Sequence, residues 1–137
     1  VNTRLDELDA TIGEALLRPH VSYLKPLDGL LDSGMIKGLA HITGGGLTDN
    51  IPRILPPGTA VEIKKGSWPI LPIFQIMQKL GSVTEAEMYR TFNMGVGMVI
   101  VTSKSDAGVV KSHLQQPGEQ VYEIGRVVEG QREVFFG

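Results

Sequence analysis

The chain of 137 residues contains no cysteine. Disulfide bridges, thiolate metal sites and a cysteine nucleophile are therefore excluded, and a reducing, cytoplasmic location is expected. An excess of charge is also lacking, since charged residues make up 20% of the chain and the net charge at pH 7 is -2. The chain has no overall electrostatic attraction to nucleic acid or to an anionic membrane, and we expect neither as a partner.

Long apolar runs and several catalytic motifs are lacking as well. No stretch comes near the roughly 18 apolar residues of a membrane-spanning helix, and residues 1–9 are unlike a secretory signal. There is no P-loop, and Gly95-Val96-Gly97 lacks the third glycine of a dinucleotide fingerprint. Because His20, His41 and His113 do not have metal-site spacing, we expect no site built from protein metal ligands.

What is present is the composition of a folded globular domain, with 42% hydrophobic residues spaced in regular patterns. The pattern predicts helices over residues 25–31, 50–55, 72–81, 84–92 and 105–114, and a helix or helix-bearing linker over 5–16. It predicts strands over 36–43, 59–64 and 97–102, and a closing hairpin of 121–128 with 132–136. The alternation predicts one α/β or α+β domain, a mixed sheet covered by helices. We place this domain at residues 11–137, after a linker or N-terminal helix at 1–10.

The first segment with a chemical signature is Ala40–Arg53, which reads AHITGGGLTDNIPR. A predicted strand runs into Gly44–Gly46, and a short helix follows, with Thr48 or Asp49 as its N-cap. Three glycines let a ligand approach the main chain, and a helix start offers unpaired amides to a phosphate. The same pattern also fits a tight strand-to-helix turn, with the arginine as a solvated surface charge.

The second segment is Glu87–Met98, which reads EMYRTFNMGVGM. A predicted helix ends in Asn93, and Gly95 and Gly97 precede the strand. An amide side chain beside two glycines can line a ligand pocket. A helix C-cap by Asn93 followed by a glycine turn explains the same residues.

Both segments, together with IGEALLRPHVSYLK at residues 12–25, closely resemble the C-terminal half of the phosphoribosylformylglycinamidine cyclo-ligases, or aminoimidazole ribonucleotide synthetases. The order and separation of the three segments agree from about Thr11 onward. One departure is visible after Pro19, where His20-Val21-Ser22 replaces the family's Thr-Arg-Ile. If the family arginine contacts the substrate phosphate, His20 is the candidate substitute.

The resemblance implies an enzyme of purine biosynthesis that closes the imidazole ring of aminoimidazole ribonucleotide with ATP. Phosphate transfer activates the formyl amide oxygen, and an amidine nitrogen then attacks. The resemblance also implies a partly ferredoxin-like fold, a homodimer, and a cleft shared with an N-terminal ATP-binding domain that this chain lacks. ATP and Mg²⁺ would bind mainly to that domain, so the isolated chain is expected to be inactive.

The resemblance also assigns the site residues. His41 is the candidate proton donor or acceptor, or a phosphate ligand. The candidate residues for binding the phosphate and substrate are Gly44, Gly45, Gly46, Asn50, Arg53, Asn93, Gly95 and Gly97. Two alternatives stay open. One is another ATP-dependent superfamily member, of the formylglycinamidine ribonucleotide synthetase, selenophosphate synthetase or thiamine-phosphate kinase type. The other is a stand-alone, non-catalytic anion-binding module.

Overall fold

In the computed structural model, which describes residues 2–137, short strands and helices alternate along the chain. The strands are β1 Arg4–Leu5, β2 Ala10–Thr11, β3 Ile36–His41, β4 Thr59–Ile63, β5 Met98–Thr102, β6 Gly125–Glu129 and β7 Val134–Phe136. The α-helices are α1 Ile12–Leu16, α2 Gly46–Asn50, α3 Pro72–Gly81, α4 Glu85–Thr91 and α5 Ala107–Gln115, with 3-10 helices at Asp6–Leu8 and Ile51–Ile54. The predicted α+β class is confirmed.

The strands are divided among three small sheets. β1 pairs with β2, and β3 pairs antiparallel with β5, so that His41 lies opposite Met98. The third sheet is mixed, because its central strand β4 is antiparallel to β6 and parallel to β7.

The predicted hairpin of residues 121–128 with 132–136 is wrong. β6 and β7 do not pair with each other but flank β4 on its two sides. After β6 the chain crosses the end of β4, where Gly130 N donates to Gly58 O and Arg132 N donates to Thr59 O. Alternating apolar residues predict a strand but not the strand with which it pairs. Here β4 provides the hydrogen-bonding partner for both β6 and β7.

Near the N-terminus, only Ile12–Leu16 of the predicted helical stretch 5–16 is α-helical. Asp9 adopts a left-handed conformation with φ 46°, and the side chains of Thr11 and Glu14 form a capping box that starts α1. The domain boundary predicted between residues 10 and 11 lies within β2 and stays a prediction.

The helix predicted over residues 25–31 is also wrong, because this segment is a series of turns. Gly29 takes a positive φ of 76°, which is incompatible with a continuing α-helix. The turns still bury Leu27 and Leu30 beneath α5, where Val110 and Leu114 complete a small apolar cluster.

The main core lies between the β3–β5 sheet, the β4 sheet and helices α2 and α4. Leu47, Ile51 and Met88 are completely buried in it. Trp68 is buried as well, and its Nε1 donates to the carbonyl of Met94 at 2.9 Å. The strands β3, β4 and β5 and the helices α3, α4 and α5 are confirmed within two residues at each end.

Helix α2 begins at Gly46, four residues before the predicted start at Asn50. The predicted N-cap, Thr48 or Asp49, is therefore wrong: the N-cap is Gly45, whose φ of 100° is left-handed. The α-helix gives way to the 3-10 helix near Pro52, which has no amide to donate.

Gly46 is required by the close packing of α2 against the end of α4. Its φ is 55°, and a Cβ on it would lie 2.1 Å from the carbonyl oxygen of Tyr89 and 2.7 Å from that of Phe92. A side chain at this position would force two backbone segments apart.

We therefore expect Gly46→Ala to lower the free energy of unfolding by at least about 2 kcal/mol, from left-handed strain and the backbone clash. Gly44→Ala is the matched control, since a Cβ there would meet no heavy atom within 4 Å, and its effect should stay within about 0.5 kcal/mol. Urea denaturation of the two variants measures the difference. Equal midpoints would show that the contact between α2 and α4 does not constrain this position.

Candidate functional site

The glycine loop, residues 43–46, joins β3 to α2 and is shaped from inside by Asn50. The Asn50 side chain is only 4% exposed. Its Nδ2 donates to the carbonyl of Gly46 at 2.8 Å, and lies 3.2 Å from that of Gly44 and 3.4 Å from that of Thr43. The amide group of Asn50 therefore holds the loop in one conformation.

The amides of the loop have fewer partners than its carbonyls. Gly46 N donates to Thr43 O at 3.0 Å, but across residues 2–137 the amides of Gly44 and Gly45 donate to no protein acceptor. Gly44 is exposed and Gly45 is partly exposed. Two unpaired amides are thus accessible to an acceptor outside the chain.

A carboxylate lies beside these amides. A Cβ atom added to Gly45 would lie 3.5 Å from Oδ2 of Asp49. The same oxygen lies 3.6 Å from Nε of Arg90 on α4. Asp49 in the first turn of α2 favours the helix, and Arg90 offsets part of its charge. An anion at the loop would be repelled by the Asp49 carboxylate and attracted by the Arg90 guanidinium.

Arg53 is exposed in the 3-10 helix that follows α2. Within the part of the chain that the structure describes, its guanidinium forms no ion pair with a carboxylate. It lies three residues beyond Asn50 and is available to an anionic ligand.

The segment after α4 is a tight turn rather than an extension of the helix. Phe92 is the C-cap of α4, and Asn93 Oδ1 accepts from Gly95 N at 3.0 Å. Met94 and Gly95 follow with positive φ values of 51° and 90°. Asn93 thus closes the turn through its own side chain.

The two sequence segments meet where this turn enters β5. Ile42 N donates to the carbonyl of Gly97 at 2.9 Å. A Cβ on Gly97 would lie 1.9 Å from the hydroxyl oxygen of Tyr23, so the missing side chain makes room for that tyrosine. Burial, and to a smaller extent the charge of Glu119, raises the pKa of Tyr23.

His41, at the end of β3, belongs to a cluster of three rings with His20 and Tyr23. The Nε2 atoms of His41 and His20 lie 3.1 Å apart. The ring of Tyr23 makes edge contacts with both, with centroid distances of 5.7 Å to His20 and 6.2 Å to His41. This histidine cluster combines residues from the upstream segment and from the glycine-loop segment.

The sequence identified His20 and His41 separately but not their contact, and it missed Tyr23. A separation of 21 residues across irregular turns carries no periodic signal. The one signal was His20 itself, which the resemblance marks as an expected departure from the family pattern after Pro19.

Among residues 2–137, no three His, Asp or Glu side chains are grouped closely enough to hold a metal ion. In the same residues, no helix has the length and apolarity that crossing a membrane requires.

Comparison with known proteins gives a consistent result. A family described as AIR synthase related protein, C-terminal domain, matches residues 2–137. The chain is 46% identical to the phosphoribosylformylglycinamidine cyclo-ligase of Brevibacillus brevis over 99% of its own length and 39% of that protein. The proteins of the same name from Methylobacillus flagellatus and Thermoanaerobacter pseudethanolicus are 48% and 49% identical, over 83% and 93% of this chain.

The chain therefore spans 33–39% of the length of these relatives. Among solved structures, it is similar to the crystal structure of HypE from E. coli, with a TM-score of 0.63 and 22% identity over 85% of this chain and 35% of that one. This similarity supports the fold, and the closer sequence relatives confirm the resemblance to the cyclo-ligases. The chain belongs to the family of AIR synthase related proteins, as their C-terminal domain.

Proposed function

We propose that the chain is the C-terminal part of a phosphoribosylformylglycinamidine cyclo-ligase and forms the substrate-phosphate wall of its active site. The observation that carries this proposal is the identity of 46–49% to proteins of that name over most of the chain. The identity to HypE, at 22%, is much lower, which favours a cyclo-ligase over a more distant member of the superfamily.

The proposed reaction closes the imidazole ring of aminoimidazole ribonucleotide. ATP supplies the phosphoryl group that makes the formyl amide oxygen a leaving group, with Mg²⁺ to offset the phosphate charge. We place both mainly on the part of the longer protein outside this chain. The residues of this chain would bind the substrate and move the proton that the attacking amidine nitrogen loses.

The glycine loop has the donors that a substrate phosphate requires. The accessible amides of Gly44 and Gly45 and the exposed guanidinium of Arg53 would bind the phosphate by charge-assisted hydrogen bonds. Gly46 and Asn50 would act indirectly, since Gly46 packs against α4 and Asn50 holds the loop carbonyls.

The second segment would shape the wall beside the phosphate. Asn93 and Gly95 form the turn that leads to Gly97, and Gly97 contacts both the strand bearing His41 and the hydroxyl of Tyr23. His41 is exposed at this point, where it would exchange a proton with the substrate.

An exposed apolar surface supports an interaction with the rest of the longer protein. This surface, named the leucine segment, consists of side chains between residues 16 and 24 that are 50–83% exposed: Leu16, Leu17, Val21 and Leu24. Exposed apolar side chains concentrated in one segment are typical of protein contacts. We propose that the ATP-binding domain covers the leucine segment, and that full-length protomers form a homodimer.

The isolated chain is expected to have no cyclo-ligase activity, because phosphoryl transfer requires positioned ATP and Mg²⁺. The measurement is ATP-dependent formation of aminoimidazole ribonucleotide by the pure chain and by the same chain joined to its N-terminal domain. Only the joined protein should turn over substrate. Turnover by the pure chain would contradict the division of the site between two domains.

In the joined protein, Arg53→Ala should weaken substrate binding by about 1.5–3 kcal/mol, as expected for a hydrogen bond to a charged group. ATP affinity should stay unchanged, since the nucleotide is placed on the other domain. Arg126→Ala is the control, because Arg126 is an exposed arginine on β6 that pairs with Glu62. Titration calorimetry measures the affinity of each variant for the substrate and for ATP. An unchanged substrate constant, or a weaker ATP constant, would refute this role for Arg53.

The leucine segment should cause the isolated chain to self-associate as concentration rises. Replacing Leu17 and Leu24 by Glu should shift the sedimentation profile to monomer, because charge opposes burial of the surface. Leu80→Glu is the matched control, since Leu80 is 76% exposed on α3, and this variant should associate as the parent chain does. A parent chain that stays monomeric at high concentration would argue against an apolar contact surface here.

A further inference from the structure

We propose that His20 is a positioning residue that fixes the tautomer of His41 and leaves Nδ1 of His41 as the proton-accepting atom of the site. The inference rests on the proposed function for its chemistry, but its geometry stands on the histidine cluster alone.

The contact between His20 and Val21 determines the tautomer of His20. Its Nδ1 lies 2.6 Å from the carbonyl oxygen of Val21. A carbonyl oxygen only accepts hydrogen bonds, so Nδ1 of His20 carries the proton. A neutral imidazole has one N–H, and Nε2 of His20 is therefore an acceptor.

The tautomer of His20 in turn determines the tautomer of His41. The Nε2 atoms of the two histidines are 3.1 Å apart, a hydrogen-bond distance that requires one proton between them. Because Nε2 of His20 is the acceptor, Nε2 of His41 is the donor. Neutral His41 then has an unprotonated Nδ1, and no group in residues 2–137 donates a hydrogen bond to that atom.

Tyr23 supports the arrangement of the His20 and His41 rings. The two imidazoles meet nearly at right angles, with ring planes 88° apart and centroids 5.1 Å apart. The ring of Tyr23 lies in a T-shaped arrangement with both imidazoles, and its hydroxyl occupies the space that Gly97 leaves open. The pair is thus held by a partly buried aromatic ring, although both histidines are exposed.

The chemistry follows from the lone pair on Nδ1. When the amidine nitrogen attacks the activated formyl carbon, a C–N bond forms and the C–O bond breaks, and the phosphate leaves with that electron pair. The proton of the attacking nitrogen passes to Nδ1 of His41. The resulting imidazolium donates a charge-assisted hydrogen bond from Nε2 to His20, which stabilises it.

The first test reads the tautomers directly, by long-range ¹H–¹⁵N NMR of the imidazole nitrogens at a pH where all three histidines are neutral. We expect His20 in the Nδ1–H form and His41 in the Nε2–H form. His113 is an internal control, because its Nε2 lies 3.0 Å from the carbonyl of Asp28 and should carry the proton. Free imidazole side chains favour Nε2–H, so the Nδ1–H form of His20 is diagnostic. His20 in the Nε2–H form, or His41 in the Nδ1–H form, would overturn the proposal.

The second test uses the joined protein. His20→Ala should lower kcat at least about tenfold with KM changed less than about twofold. His20→Gln should recover most of kcat, since its Oε1 can accept the hydrogen bond from His41. In a His41→Ala background, His20→Ala should cost nothing further.

A purely structural role of His20 predicts a different pattern, with a raised KM, no recovery by Gln, and a further loss in the His41→Ala background. That pattern, or an unchanged kcat in His20→Ala, would overturn the positioning role. If the joined protein has no cyclo-ligase activity, the proposed function fails, while the NMR result still decides the tautomers.

Discussion

The contact between the start of α2 and the end of α4 is the constraint on which the site depends. Gly46 lies against the carbonyls of Tyr89 and Phe92, closer than any side chain would permit. This contact fixes the glycine loop on one side, while Asn50 fixes it from beneath. It also joins the two sequence segments into one surface, although about 40 residues of chain separate Gly46 from Tyr89.

A second link between the same segments places the histidine cluster. The hydrogen bond from Ile42 to Gly97 extends the β3–β5 pairing by one step beyond His41 and Met98. Gly97 then admits the hydroxyl of Tyr23, whose ring supports both imidazoles. Glycine therefore has two roles here: it lets backbones approach each other at Gly46 and lets a tyrosine approach the backbone at Gly97. Neither role requires a ligand.

The sequence predicted those parts of the fold that depend on local pattern. The spacing of apolar residues located α3, because burial on one face of a helix has a fixed period, and a short continuous apolar run located β5. It failed for the closing hairpin, since strand partners are chosen by tertiary packing around β4. For the site, the glycine loop was recognisable from its composition. The contact of His20 with His41 was not, because irregular turns between distant residues leave no periodic trace.

The glycine loop of this domain is proposed to bind the phosphate of the substrate, while the nucleotide binds elsewhere. The most direct measurement is NMR of the Gly44 and Gly45 amides in the joined protein during separate titrations with phosphoribosylformylglycinamidine and with ATP. If the loop binds the substrate phosphate, both amides will show saturable shifts with the substrate and much smaller shifts with ATP. Amides that respond to ATP alone, or to neither ligand, would contradict it.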